Sequence, residues 1–308
     1  MPTRPLISVE PSGHAWAPAL NRAVEAAGAR LVPATRAEGL VWLGREGVDL
    51  RDHLHDGTRW VQLPSAGVEY WLDTGEIDDR RIFTSAGGAY ARTVGEHAIA
   101  LLFAVAKNLH RCARLGAWDE QAAMGQQLRG TTVGIIGAGA IGRELIEYLQ
   151  PFGIETLAVT RSGRAVPGAT RSLASSDLGT VWPLVDFAVL LAPATADTTH
   201  LVGPAVFASM KRTAWVINLA RGKLIDTDAL VDALRAGTIG GAALDVTDPE
   251  PLPHGHPLWE MENVLITPHT ANPRRGQEAL LAEHVTRNVR RFADGDGLLA
   301  VIDLDAGY

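Results

Sequence analysis

The segment TTVGIIGAGAIGREL, residues 131–145, constrains this chain more than any other. An apolar strand runs into Gly137, Gly139 and Gly142, and helix-forming residues follow. In such a turn the first glycine permits the tight reversal, the second lets backbone approach an anion, and the third lets helix pack on strand. Main-chain amides of Ala138, Ala140 and Ile141, at the head of the helix, then point at that anion. A strand, glycine turn and helix in this order implies a parallel sheet with helices on its faces, and a site for the diphosphate of a dinucleotide.

The rest of the chain repeats the strand–helix alternation. In the first third, strands are expected at LISVE, RLVPA, GLVWLG, WVQLPS and RIFTSA, with a helix over APALNRAVEAAG between the first two. Thr93 followed three residues later by Glu96 is a capping-box signature, so a helix is expected to start at Thr93. Its apolar residues run almost all the way round, which marks a helix buried on most sides. A second series has strands at TTVGII, ETLAVT, VDFAVLLA, TAWVINLA, GAALDV and NVLIT, and helices at AIGRELIEYLQPFG, GPAVFASM and TDALVDALRAG. The amphipathic GQEALLAEHVTRNVRRFADG and a short apolar LLAVIDL close the chain.

Two such series fit a length of 308 residues as two domains. A net charge of −7 leaves no general basic surface for nucleic acid or anionic membrane. The single cysteine, Cys112, rules out an internal disulfide framework and suits a reducing compartment. The first residues show no signal-peptide pattern, and no apolar run is long enough to span a membrane, so a cytoplasmic protein is expected. His53 with His55, and His254 with His256, lie two residues apart in loops without thiolates, so no metal site is expected.

Several strand ends carry the chemistry. About twenty residues past a glycine turn of this kind, an Asp or Glu ordinarily accepts bonds from a ribose 2′-hydroxyl. Here the sequence reads Thr160-Arg161-Ser162, with Arg164 close behind. Donors and positive charge at that place suit a 2′-phosphate, so NADPH is the expected coenzyme and NAD a possible one. VINLARGKLID places Arg221 just past a strand; GAALDVTDPEPLP ends a strand on Asp245 and turns through Glu250; NVLITPHTANP ends another at His269. A guanidinium can grip a substrate carboxylate through two parallel bonds. A histidine can give or take a proton near neutral pH, and a carboxylate beside it orients the ring and favours its charged form. With hydride from a nicotinamide, that set interconverts a 2-oxo acid and a 2-hydroxy acid.

These pieces, together with HPLWEMENVLITPHT, resemble the D-isomer-specific 2-hydroxyacid dehydrogenase family along essentially the whole chain, with Arg221 to Glu250 spanning 29 residues and Glu250 to His269 spanning 19. The resemblance implies an α/β fold of two doubly wound parallel-sheet domains: a Rossmann dinucleotide domain, residues 99–274, inserted in a flavodoxin-like substrate domain, residues 1–98 and 275–308. It implies that Arg221 anchors substrate, that His269 is the general acid/base paired with Glu250, and that Asp245 holds the nicotinamide carboxamide. Coenzyme contacts are implied at Gly137 through Gly142 (with Ala138, Gly139, Ala140 and Ile141 between), at Thr160, Arg161, Ser162 and Arg164, and at Ala192, Pro193, Leu219, Ala220 and His269. In LPSAGVEY, the family's substrate loop, Ser65, Ala66 and Gly67 would offer backbone amides to the carboxylate. The family is usually dimeric through its dinucleotide domain, which implies a homodimer. Glyoxylate and hydroxypyruvate reductases are the expected subgroup. The alternatives are a phosphoglycerate-dehydrogenase-like NAD enzyme, which often has a C-terminal regulatory domain where this sequence stops at Tyr308, and a non-catalytic, cofactor-sensing corepressor-like protein.

Overall fold

The computed structural model of the chain describes residues 4–44 and 48–308. It divides into two compact units, one formed by residues up to Tyr90 with Pro273–Tyr308, the other by Ala91–Asn272. The junctions expected at 98/99 and 274/275 lie a few residues further along the chain. The first of them falls within a continuous helix, Ala91–Ala106, that belongs whole to the second unit.

The first unit holds strands β1 (Leu6–Glu10), β2 (Arg30–Leu31), β3 (Gly39–Trp42), β4 (Trp60–Gln62) and β5 (Ile82–Thr84). All are parallel, in the order β2-β1-β3-β4-β5, the flavodoxin-like arrangement. Side-chain alternation along the strands feeds two cores. Val41 and Trp60 pack with Leu20 and Val24 of helix Ala17–Ala26 and with Leu281, Val285 and Val289 of helix Gln277–Asp294. Leu40, Trp42 and Val61 pack with Leu50, Trp71 and Phe83. Burial on both faces explains why these strands read as near-continuous apolar runs. The apolar end of the chain contributes Val301, bridged antiparallel to Thr84.

The second unit has seven strands: β6 (Thr132–Ile136), β7 (Glu155–Thr160), β8 (Arg171–Ala174), β9 (Phe187–Leu190), β10 (Trp215–Asn218), β11 (Gly241–Leu244) and β12 (Val264–Ile266). All pair in parallel, in the order β8-β7-β6-β9-β10-β11-β12. This is the dinucleotide-binding order with a seventh strand added, and its winding reverses between β6 and β9, where ligands bind in open α/β sheets. The register sets one row across six strands: Val159, Ile136, Leu190, Asn218, Leu244 and Ile266 stand side by side.

β8 and the start of the helix after β5 differ from the sequence expectation. β8 is a short edge strand of partly exposed residues, too polar to show an apolar run. The helix expected from Thr93 starts at Ala91 instead, and the Thr93 hydroxyl donates to Asn272 Oδ1 at 3.1 Å. Among the described residues, no helix is long and apolar enough to cross a membrane.

Candidate active site

The register row brings distant motifs to one edge of the second unit's sheet. Gly137 follows Ile136 directly, Thr160 follows Val159, and Asp245 follows Leu244; Ala192, Arg221 and His269 stand two or three positions past Leu190, Asn218 and Ile266. Thr160 ends β7, still paired with β8, and the others follow their strands at the sheet's carboxyl edge.

At the glycine turn, Gly137 has φ +94°, and a Cβ there would lie 2.4 Å from the backbone nitrogen of Ala192. Only glycine lets the turn close against the end of β9. A Cβ on Gly142 would press on Ile135 Cγ2 at 3.0 Å, so this residue sets the packing of helix Ala140–Leu149 on β6. Gly139 is different: the one atom near its added Cβ is Gly137 O, at 3.9 Å. That side of the turn opens onto free space ahead of the helix N-terminus, whose first amides have no partner within the helix. A diphosphate fits there, and a side chain would fill the place. Past β7, Arg161, Ser162 and Arg164 are exposed. Ser162 bridges to Ala174 of β8, and the Arg161 carbonyl accepts from Ser175 Oγ at 3.3 Å, so the loop's backbone is tied down.

Arg221 is set by a buried asparagine. Asn218, fully buried, accepts from the Ala220 amide at 3.0 Å and donates to the Arg221 carbonyl at 2.9 Å. Arg221 Nη1 donates to the Ala220 carbonyl at 2.7 Å. The next residue brings in the loop that carries Glu250. A Cβ on Gly222 would fall 2.0 Å from the Thr247 carbonyl, so no other residue allows this approach. The loop is held further by Thr227 Oγ1, which donates to the Asp248 carbonyl at 2.6 Å. Gly222 was not among the residues that motif reading selected; its only sequence signal is its place directly behind the arginine.

His269 Nδ1 lies 2.5 Å from Glu250 Oε1, and both side chains are about half exposed. The ring nitrogen engaged by Glu250 leaves Nε2 for a reacting molecule. Asp245 beside it is buried, at 2 % exposure, with acceptors that organise the His269 loop: Oδ1 takes Thr267 Oγ1 at 2.6 Å and the Thr270 amide at 2.9 Å, and Oδ2 takes the Ala271 amide at 3.1 Å. With one such bond, Oδ2 keeps acceptor capacity. His97, which reads in the sequence as a helix-packing residue, stands against this group, its Nε2 3.0 Å from Thr267 Oγ1.

The first unit carries the loop Ser65–Gly67 after β4. Tyr90 donates its hydroxyl to the Pro64 carbonyl at 3.0 Å, the Ala86 amide donates to the Ser65 carbonyl at 2.8 Å, and Ser65 Oγ donates to the Gly67 carbonyl at 2.5 Å. Burial pushes the Tyr90 phenol up to about 12, which keeps it a donor. The loop's shape is therefore fixed from behind. Three of the paired histidines serve structure: His55 bonds the Ala37 carbonyl and the Gly57 amide, His53 packs on Trp42, and His256 caps the turn at Leu258. Among the described residues, no three His, Cys, Asp or Glu side chains gather as metal ligands do.

Residues 99–271 match the model of the family described as "D-isomer specific 2-hydroxyacid dehydrogenase, NAD binding domain". The chain belongs to this family. Like other D-2-hydroxyacid dehydrogenases it is an NAD(P)-dependent oxidoreductase. It is 42% identical over 260 residues to an uncharacterized protein of Corynebacterium melassecola, covering 83% of this chain and 85% of that one. It is 34% identical over 245 residues to the glyoxylate reductase of Thermofilum pendens, covering 77% and 72%. Among solved members, the NADPH-dependent glyoxylate/hydroxypyruvate reductase of Sinorhizobium meliloti, in complex with NADP and sulfate, superposes with a TM-score of 0.77 at 26% identity, covering 99% of this chain and all of that one.

Proposed function

We propose that the enzyme reduces a small 2-oxo acid of the glyoxylate or hydroxypyruvate type to a D-2-hydroxy acid, with NADPH as its preferred coenzyme. The observation that carries this reading is the placement of Arg221, Glu250 and His269 past the ends of adjacent parallel strands, with His269 Nδ1 2.5 Å from Glu250. The names of the relatives support the substrate class, and the exposed Arg161 and Arg164, where an acidic residue is usual, support the coenzyme.

Bound at the glycine turn, the nicotinamide coenzyme supplies or accepts the hydride at C2. The protein does the rest. Arg221 holds the substrate carboxylate as a two-pronged donor, aided by the main-chain amides of Ser65, Ala66 and Gly67. His269, charged, gives a proton from Nε2 to the substrate oxygen during reduction and takes it back during oxidation. Glu250 fixes the orientation of the ring through Nδ1. Asp245 Oδ2 offers its remaining lone pair to the carboxamide of the coenzyme, and the backbone at Ala192, Pro193, Leu219 and Ala220 lines the same sheet edge. The guanidinium groups of Arg161 and Arg164, with Ser162 and Thr160, take the 2′-phosphate.

The enzyme acts as a cytoplasmic homodimer in this reading. The exposed apolar side chains Leu109, Leu115, Trp118 and Met124, which follow helix Ala91–Ala106, supply the covered face. Light scattering in solution is expected to give twice the chain mass.

The test is a kinetic matrix of NADH and NADPH, each against glyoxylate, hydroxypyruvate, pyruvate and bulkier 2-oxo acids. Higher kcat/KM with NADPH and with the two smaller hydroxylated or unsubstituted acids is expected. Equal or better efficiency with NADH would overturn the coenzyme assignment, and no turnover across the panel would favour a cofactor-sensing protein.

A further inference from the structure

We propose that His97 is a positioning residue for His269, acting at a distance through Thr267 and Asp245. The inference rests on the reading of His269 as the proton-transfer residue and adds what holds it in place.

His269 has φ +51°, in the left-handed region that residues with a Cβ seldom occupy. Such a conformation persists only where the surroundings over-determine it. Here much of that determination comes from Asp245, beside the bond of the His269 amide to the Thr267 carbonyl at 2.9 Å and that of its ring to Glu250. The His269 amide donates to the main-chain carbonyl of Asp245 at 2.8 Å, and the Asp245 carboxylate takes the amides of Thr270 and Ala271 and the hydroxyl of Thr267. Donors on both sides of His269 therefore converge on one buried aspartate, which moulds the turn that presents the imidazole.

That carboxylate is 2 % exposed, and its bonds to the loop depend on its staying oriented. His97 supplies the remaining contact from the helix Ala91–Ala106: its Nε2 is 3.0 Å from Thr267 Oγ1 and 3.5 Å from Asp245 Oδ1. The protons can be assigned from the distances. Thr267 has one hydroxyl proton, and an Oγ1 to Oδ1 separation of 2.6 Å between two acceptors requires that proton to lie between them. Thr267 can then only accept from His97, so Nε2 carries the hydrogen. The chain of donation runs from His97 to Thr267 to Asp245, and each link fixes the next. His97 Nε2 meets Thr267 and Asp245 and makes no hydrogen bond to the His269 ring; its effect is to keep the His269 turn in one conformation.

Replacement by groups with and without a donor tests this. His97→Leu removes the hydrogen bond, whereas His97→Gln carries an N–H at nearly the same reach. With glyoxylate and NADPH, His97→Leu is expected to lower kcat about 10- to 100-fold, the scale of a displaced catalytic group, with a much smaller change in coenzyme KM. His97→Gln is expected to recover most of the loss. Thr267→Val should reproduce the defect and Thr267→Ser should not, which keeps the test decisive if one variant folds poorly. A second readout avoids turnover altogether: in protein with 15N-labelled histidine, the ring signal of His269, identified by its loss in His269→Ala, should broaden or move in His97→Leu and stay in place in His97→Gln. If kcat and the His269 signal are the same in His97→Leu as in the wild type, the positioning role is wrong. If His269→Ala itself stays active, the catalytic reading fails instead, while the ring signal still decides whether His97 orders the turn.

Discussion

In the five-stranded sheet, buried polar side chains bond to one another: Trp60 Nε1 donates to Thr84 Oγ1 at 2.9 Å, Thr84 Oγ1 to Gln62 Oε1 at 3.0 Å, and Asn288 Nδ2 to the same Gln62 oxygen at 2.8 Å. Asn288 also binds both the amide and the carbonyl of Leu299, tying helix Gln277–Asp294 to the end of the chain. In the seven-stranded sheet the buried Asn218 and Asp245 lie at the strand ends, and their bonds run outward into loops that carry Arg221 and His269. Both groups are nearly inaccessible to water, so burial of polar residues alone does not mark a site. What separates them is where the bonds lead: inward to a closed network that joins elements, or outward to backbone that presents a half-exposed reactive side chain.

Four measurements can break or sharpen that contrast. The largest effect is expected from His269→Ala, which should lower kcat by about 10²- to 10⁴-fold with little change in thermal unfolding; retention of more than about a tenth of the activity would remove His269 from the chemistry. Arg161→Ala should next weaken NADPH by roughly 10- to 150-fold, the value of one charge-assisted bond, and leave NADH nearly unaffected. If both coenzymes fall together, the arginine supports the fold of the loop and not the choice of phosphate. In the other sheet, Asn288→Ala should reverse the pattern, costing about 1–3 kcal/mol of stability with coenzyme KM unchanged. Loss of turnover without loss of stability there would erase the distinction between the two networks.

The smallest effect concerns Tyr90. Its phenol is pushed up to about 12 by burial, above the ordinary value of 10.0. An acid whose folded value is raised keeps its proton in the folded state after the unfolded chain has lost it, so its stabilising effect is complete below pH 10 and fades between about 10 and 12. The shift corresponds to about 3 kcal/mol at most. Urea unfolding across that alkaline window should show a shallower decline in Tyr90→Phe than in the wild type; parallel curves would mean that another group governs alkaline unfolding.

Much of the architecture was legible because it rests on local pattern. Strands buried on both faces announce themselves as apolar runs, and a glycine turn between strand and helix has few alternatives. β8 escaped since RSLA is short, polar and at an edge. The start of helix Ala91–Ala106 lies two residues before Thr93, whose hydroxyl donates to Asn272, 179 residues away and outside any local window. The site divides along the same line. Arg221, Glu250 and His269 stand out as polar residues just past apolar strands, whereas His97 and Gly222 have meaning only through Thr267 and Thr247, which no local window contains.

The strand order also separates two jobs that the chain must do at once. The loop after β7, with Arg161 and Arg164, lies on one side of the reversal between β6 and β9, and the loops bearing Arg221, Asp245 and His269 lie on the other. No strand carries residues of both kinds. In the function proposed above, an exchange of the few residues behind Thr160 would leave β10, β11 and β12 in register, so the scaffold could change the electron donor it draws on without rebuilding the residues assigned to proton transfer.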